Sequence, residues 1–246
     1  VTKTAGMGDQ LYVGGVDVSG DTMAIGDIGG GPVLWEVPGI SAQAQERIGL
    51  HRDGRMNLTS YFNPAVGAAH KTWSPLPTAN VGLMYCRGSA IGGESANLIG
   101  KQVNYDATRA NDGALTFGVQ AAGNGFGLEW TTQLTPGQVL IGGAGAQAGV
   151  DFTAATSFGL QAYLQVLLFT GTSATVAIQD FTADTPGSYT DITGAVFAPA
   201  TAIGTQRIQT TRTQTVRRWC RVNVTGTFTA LLFAVGIAKN LSQTDF

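Results

Sequence analysis

Few residues of this chain are of the types, at the spacings, that reaction chemistry needs. Residues 93–101 read Gly-Glu-Ser-Ala-Asn-Leu-Ile-Gly-Lys, which approaches a phosphate-cradling loop. The spacing before Gly100-Lys101 is wrong, and Gln102 stands where a Ser or Thr hydroxyl would be required. Gly123, Gly125 and Gly127 alternate as in a dinucleotide loop but lie between two strand-like runs. A dinucleotide site needs its glycines to open a helix whose N-terminus takes the pyrophosphate, so these three are read as a β-turn. His51 and His70 have no second His or Cys at ligand spacing, and zinc needs three or four ligands. There is no Gly-x-Ser-x-Gly elbow and no Cys–His pair close in sequence. Asp106, Arg109 and Asp112 read as loop ion pairs. The expectation is a protein that is not an enzyme, with no catalytic, cofactor-binding or metal-binding residue assigned and no cofactor.

What remains points to interaction. Arg207, Arg212, Arg217, Arg218 and Arg221 form a basic concentration. A planar guanidinium fork suits carboxylates at interfaces, so an inter-domain or inter-subunit ion-pair surface is favoured over nucleic-acid contact. The net charge of −2 gives no global attraction for nucleic acid or membrane. Arg47, Arg52 and Arg55 fall in a Gln- and Arg-rich stretch, residues 39–55.

The elements that hold these residues read as β-strands. Of 246 residues 35 are Gly, and turn residues and β-formers dominate. Only 12% are charged, about half the roughly 25% of an average soluble domain. So weakly charged a surface is expected to be covered by other copies of the chain. Cys86 and Cys220 sit in apolar runs and read as buried thiols in a reducing compartment. Residues 1–8 contain no apolar run of signal-peptide length, and no run approaches the roughly 18 residues of a membrane span. Synthesis in the cytoplasm, outside membranes, is the expectation.

Strands are expected at 10–13, 16–18, 33–37, 56–62, 81–86, 96–105, 115–120 and 128–132. A Gly-rich loop is expected over 20–31, a short helix or loop over 42–50, and a tight turn at Arg52-Asp53-Gly54-Arg55. Asn63 as cap and Pro64 at the first position predict a helix over 64–73. Further strands are expected at 157–169, 174–179, 189–192, 207–209, 215–224 and 231–237, in a β-sandwich. The small-residue stretch around 142–149 marks a boundary. The expected organisation is an arm (1–9), a β domain (10–135), a Gly/Ala-rich linker (136–154) and a second β-sandwich domain (155–246).

Three strings carry a resemblance: Ile48-Gly49-Leu50-His51-Arg52-Asp53-Gly54-Arg55-Met56-Asn57-Leu58-Thr59-Ser60-Tyr61-Phe62-Asn63, Ala69-His70-Lys71-Thr72-Trp73-Ser74-Pro75-Leu76-Pro77-Thr78, and Gly100-Lys101-Gln102-Val103-Asn104-Tyr105-Asp106 with Asp112-Gly113-Ala114-Leu115-Thr116-Phe117. In this order they resemble the major tail (tube) protein of long-tailed, siphovirus-type phages of actinobacteria, over residues 10–135. Residues 155–240 resemble a β-sandwich module appended to such proteins. The resemblance implies an all-β fold with one short helix: a two-sheet tail-tube domain followed by a second sandwich. It also implies a virion tail protein that stacks as hexameric rings around a lumen passing genome DNA without sequence-specific binding. An N-terminal arm, residues 1–8, and a long hairpin loop, residues 39–55 with Arg47, Arg52 and Arg55 as the candidate self-assembly residues, would bridge rings, and the tape-measure, terminator and distal tail proteins would be partners. The expected lumen carries no clustered cations, so the arginines at 207–221 are expected to face outward or into a subunit contact. The alternatives are a distal tail, baseplate or capsid decoration protein. A carbohydrate-binding module using Tyr163, Tyr189 and Trp219 is a third.

Overall fold

The computed structural model describes residues 6–243, which are built almost wholly from β-strands with one short helix. The first part contains β1 (Gln10–Val13), β2 (Val16–Asp17), β3 (Thr22–Glu36), β4 (Arg47–Tyr61), α1 (Ala69–Trp73), β5 (Val81–Cys86), β6 (Glu94–Gln102), β7 (Asp106–Arg109), β8 (Leu115–Gly123) and β9 (Glu129–Gln133). Their antiparallel pairings make two sheets, β2-β1-β5-β6-β9 and β3-β4-β8-β7. The end of β6 crosses between them, pairing Gly100 with Gly123 and Gln102 with Ala121. Alternation places Leu11, Val13, Leu83 and Leu98 of one sheet with Met56, Leu58, Phe117 and Val119 of the other in one core, closed by Trp73 of α1. Each such buried side chain contributes about 1.5–3 kcal/mol.

The second part contains β10 (Val139–Ile141), β11 (Gly145–Ala146), β12 (Val150–Asp151), β13 (Leu160–Phe181), β14 (Thr190–Val196), β15 (Gly204–Gln209) and β16 (Trp219–Lys239). β13 and β16 are 22 and 21 residues long and pair along their whole length. Register shifts between Val166 and Ser173 mark bulges, where a strand bends and twists more sharply. Both halves then feed one core: Leu160, Leu164, Val176 and Ile178 meet Val222, Val224, Phe233 and Ile237. Each strand expected as two, at 157–169 and 174–179 and at 215–224 and 231–237, is therefore one strand interrupted by a bulge.

Four other expectations change. Of residues 20–31, those from Thr22 onward are strand, not loop, and Arg52-Asp53-Gly54-Arg55 lies within β4 rather than at a turn. Gly30 and Gly54 face each other across the pair. A Cβ on Gly54 would lie 2.3 Å from the Leu128 nitrogen, so this glycine permits close packing. The chain reverses earlier, at 37–46, where the Val37 N–H donates to the Glu46 carbonyl at 2.9 Å. The helix is shorter than expected. Gly67 takes a left-handed φ of 74°, and the Asp21 carboxylate accepts the Ala69 N–H at 3.0 Å, so α1 starts only there. Residues 136–154 are not a bare linker: β10, β11 and β12 pair in succession along one edge of β16. Of the arm, residues 1–5 lie outside the described residues, while the Asp9 carboxylate accepts the Gly88 N–H at 2.9 Å. Among the described residues no helix is long and apolar enough to cross a membrane.

Gly226, at the bulge, has φ +122°, and a Cβ there would lie 2.3 Å from the Ser173 carbonyl oxygen. Gly226→Ala is therefore expected to destabilise the protein by about 1–3 kcal/mol, read as a lower urea midpoint. Burial pushes the thiols of Cys86 and Cys220 up to about 12. Their contribution to stability is complete below the ordinary thiol range and is lost as pH rises from there through about 12. Neither is expected to react with a thiol reagent at pH 8 until the protein is unfolded. Reaction in the native state would contradict the packing of both strands.

Candidate functional site

The sheet β3-β4-β8-β7 is open on both sides. Among the described residues no strand pairs with the outer edge of β3 or of β7. β3 thus presents a row of backbone donors and acceptors along 15 residues, and Pro32 within it is tolerated because an edge strand need not donate on its free side. One face of this sheet covers the core through Met56, Leu58, Phe117 and Val119. The other face is formed by Asn57, Thr59 and Tyr61 of β4 and by their cross-strand partners Gln120, Gly118 and Thr116 of β8. β7 adds Asp106 opposite Gly118 and Thr108 opposite Thr116. This second face is polar, and its charged groups are Asp27, Asp53, Arg55 and Asp106, with Lys101 of β6 beside it opposite Ala122. Its basic group, Arg55, is held by Asp27 at 2.5 Å.

Beyond Gly31 and Asp53, β3 and β4 pair with each other alone and form a two-stranded ribbon. Val33, Leu34, Trp35, Ile48 and Leu50 on this ribbon are exposed, Leu34 and Trp35 each by 58%. An isolated two-stranded hairpin is marginal in water, and grouped large apolar side chains on it need a surface to cover them. All three candidate self-assembly arginines lie on β4, but each has a partner in its own chain. Arg47 pairs with Glu36 at 3.3 Å, Arg55 with Asp27, and Arg52 approaches Glu129 at 3.8 Å.

The basic concentration at 207–221 does not form one surface. Arg207 is buried between the two parts of the chain, in keeping with the inter-domain ion-pair reading and against the expectation that it faces outward or into a subunit contact. Its Nη2 donates to both Glu129 oxygens at 3.1 and 3.3 Å, with side chains only 5% and 4% exposed. Its Nε donates to the Tyr163 hydroxyl at 3.0 Å, and the guanidinium lies 3.8 Å from the Phe126 ring centroid. Tyr163 in turn donates to Glu129, and burial followed by that carboxylate pushes its phenol up. Arg217 N–H donates to Asp180 at 2.6 Å, Arg218 forks onto Asp151 at 2.6 Å, and Arg221 donates to Gln179 at 2.9 Å. The nearby Arg218 guanidinium holds the Asp151 carboxyl down to about 2.

A second joint lies at Gln165. Its Oε1 accepts the Gly15 N–H at 2.9 Å and its Nε2 donates to the Gly82 carbonyl at 3.0 Å. β9 and β16 also share two register pairs, Gln133 with Gly236 and Thr132 with Ile237. Sequence reasoning missed Glu129 and Gln165. The available signal was a carboxylate in an apolar run, Leu128-Glu129-Trp130, since a charge buried in a strand needs a partner.

The other motifs take structural places. Residues 94–102 are β6, and Gly123, Gly125 and Gly127 span the connection from β8 to β9. His70 Nδ1 lies 2.8 Å from the Tyr105 hydroxyl, and the histidine ring packs on Phe62. Of the three aromatics proposed for carbohydrate, Tyr163 and Tyr189 are buried and Trp219 is half-buried, so they do not form one displayed platform.

Removing Arg207 strands a buried carboxylate, so Arg207→Ala is expected to cost about 3–5 kcal/mol in urea unfolding. Arg218→Ala, which breaks a solvent-screened pair, is expected to move the midpoint far less. Equal shifts would contradict the placement of Arg207.

No family model and no curated protein matches the chain. Among solved structures, it is similar to a chain of the tail of an empty GTA particle refined with helical C6 symmetry. The identity is 13%, 53% of this chain and 100% of that chain are covered, and the TM-score is 0.41. It is also similar to the Dit protein of phage SPP1, described as a hub adsorption apparatus in phages infecting Gram-positive bacteria, at 9% identity over 95% and 99% of the two chains, with a TM-score of 0.35. A chain of the phage p2 baseplate in its activated conformation with Sr aligns at 10% identity over 94% and 98%, with a TM-score of 0.31.

Proposed function

We propose that this chain is a structural protein of a bacteriophage tail that closes into rings and stacks them into the tube through which genome DNA passes. The observation that carries the reading is the sheet β3-β4-β8-β7, open at both edges and polar, without a cluster of cations, on its outer face. Pairing β3 of one copy with β7 of the next satisfies both edges, and repetition of one heterologous contact closes a ring. The face bearing Asn57, Thr59, Gln120 and Thr116 then lines the lumen. It offers phosphates no cluster of cations, so DNA slides past it. The ribbon of β3 and β4, with Leu34 and Trp35 exposed, reaches the adjacent ring and is covered there. The weak overall charge and the three resembling strings support the same assignment.

Negative-stain electron microscopy of the purified protein at rising concentration is expected to show long hollow tubes with a regular axial repeat. Trp35→Asp is expected to abolish them while changing monomer stability by no more than about 0.5 kcal/mol, since the side chain is exposed. Single rings or trimers that never stack would instead indicate a baseplate or decoration role.

A further inference from the structure

We infer that Glu129 aims the β3–β4 ribbon: this carboxylate, held by the second part of the chain, sets through Arg52 the angle at which the ribbon leaves the body. The purpose of that aim, contact with an adjacent ring, rests on the tube reading above; the aim itself does not.

The ribbon has no core beneath it, so its direction is decided at its base. There, one short segment seats it. Leu128 packs against Gly30 and Gly54, Gly127 lies against the stem of Arg52, and Arg52 Nη1 is 3.8 Å from Glu129 Oε1. The other two arginines on β4 act differently. Arg47 pairs with Glu36 and Arg55 with Asp27, and all four residues belong to the β3–β4 pair. Such pairs stiffen the ribbon without aiming it. The Arg52 contact reaches out of it.

The far end of that contact is fixed. Glu129 Oε2 accepts the Tyr163 hydroxyl from β13, and Oε1 accepts Arg207 Nη2 from β15 at 3.1 Å. The second lone pair of Oε1 remains for Arg52, because a carboxylate oxygen can accept twice. The carboxylate cannot swing to follow Arg52, since Phe126 and Tyr163 flank the guanidinium that grips it. With one partner buried, the Arg52 pair is screened less than the exposed pairs of the ribbon. The second part of the chain therefore positions a feature that lies wholly in the first.

The test uses the full chain with spin labels on two exposed positions, Ser41→Cys at the ribbon tip and Thr193→Cys on β14. Cys86 and Cys220 are buried and remain unlabelled. Pulsed electron–electron resonance on dilute monomer is expected to give one narrow distance in the parent. Arg52→Ala is expected to lose that single peak to a broad distribution at an unchanged urea midpoint, with partial recovery in Arg52→Lys and no broadening of comparable size in Arg47→Ala. Tube yield is expected to fall with Arg52→Ala. A distribution for Arg52→Ala that superimposes on the parent would overturn the inference, whether or not tubes form. A broadened distribution in a protein whose parent never forms tubes would leave the aim standing and remove the tube reading.

Discussion

An antiparallel sheet satisfies its backbone only where it has neighbours, and the sheet β3-β4-β8-β7 lacks them on both sides. The 15-residue β3 is the larger exposure. Such an edge is a template for another chain, and proteins that stay monomeric usually blunt it with charge, brevity or a covering loop. Here the edge is long, it carries Gly29, Gly30 and Gly31, and its charged residues Asp27 and Glu36 are already engaged by Arg55 and Arg47. Assembly in this account follows from leaving that edge open. The face that the same sheet turns away from the core carries Asn57, Thr59, Gln120 and Thr116.

The rest of the molecule can be understood as what holds that sheet in place. Behind it, a core of aliphatic and aromatic side chains joins it to β2-β1-β5-β6-β9. That second sheet is in turn locked to the long β13–β16 pair at two buried polar joints, Glu129 with Arg207 and Gln165 with the backbone of Gly15 and Gly82. Polar joints of this kind add little net stability compared with apolar packing, but they tolerate few alternative arrangements. Glycines at the contact make it tight: a Cβ on Gly15 would lie 2.4 Å from the Gly204 nitrogen, and one on Gly82 2.4 Å from Thr205 Oγ1. The second part is therefore fastened to the first rather than tethered to it.

Period-two alternation made β8 and the inward faces of β4 and β13 legible in the sequence, because a half-covered strand must alternate. Glycine misled in both directions. Around Gly30 and Gly54 it reads as loop and turn, yet it is there because Leu128 packs onto the paired backbones. At Gly67 its left-handed conformation cuts short a helix that Asn63 and Pro64 announce. The arginines show the other limit. Their composition marks an ion-pair role, but whether Arg207 meets a neighbour or its own Glu129 depends on a contact spanning 78 positions, which no local pattern encodes. The ribbon of β3 and β4 was half legible: its Gln- and Arg-rich tip stood out, whereas the strand character of residues 20–31 was hidden by glycine.

The central claim is that copies join through the open edges of one sheet. Cryo-electron microscopy of the assembled particle tests it most directly, at a resolution that traces strands. The account predicts a closed ring in which β3 of each copy runs hydrogen-bonded beside β7 of the next, with Asn57, Thr59 and Gln120 facing the lumen. A particle in which both edges remain solvent-facing, with copies joined through the β13–β16 part instead, would contradict it.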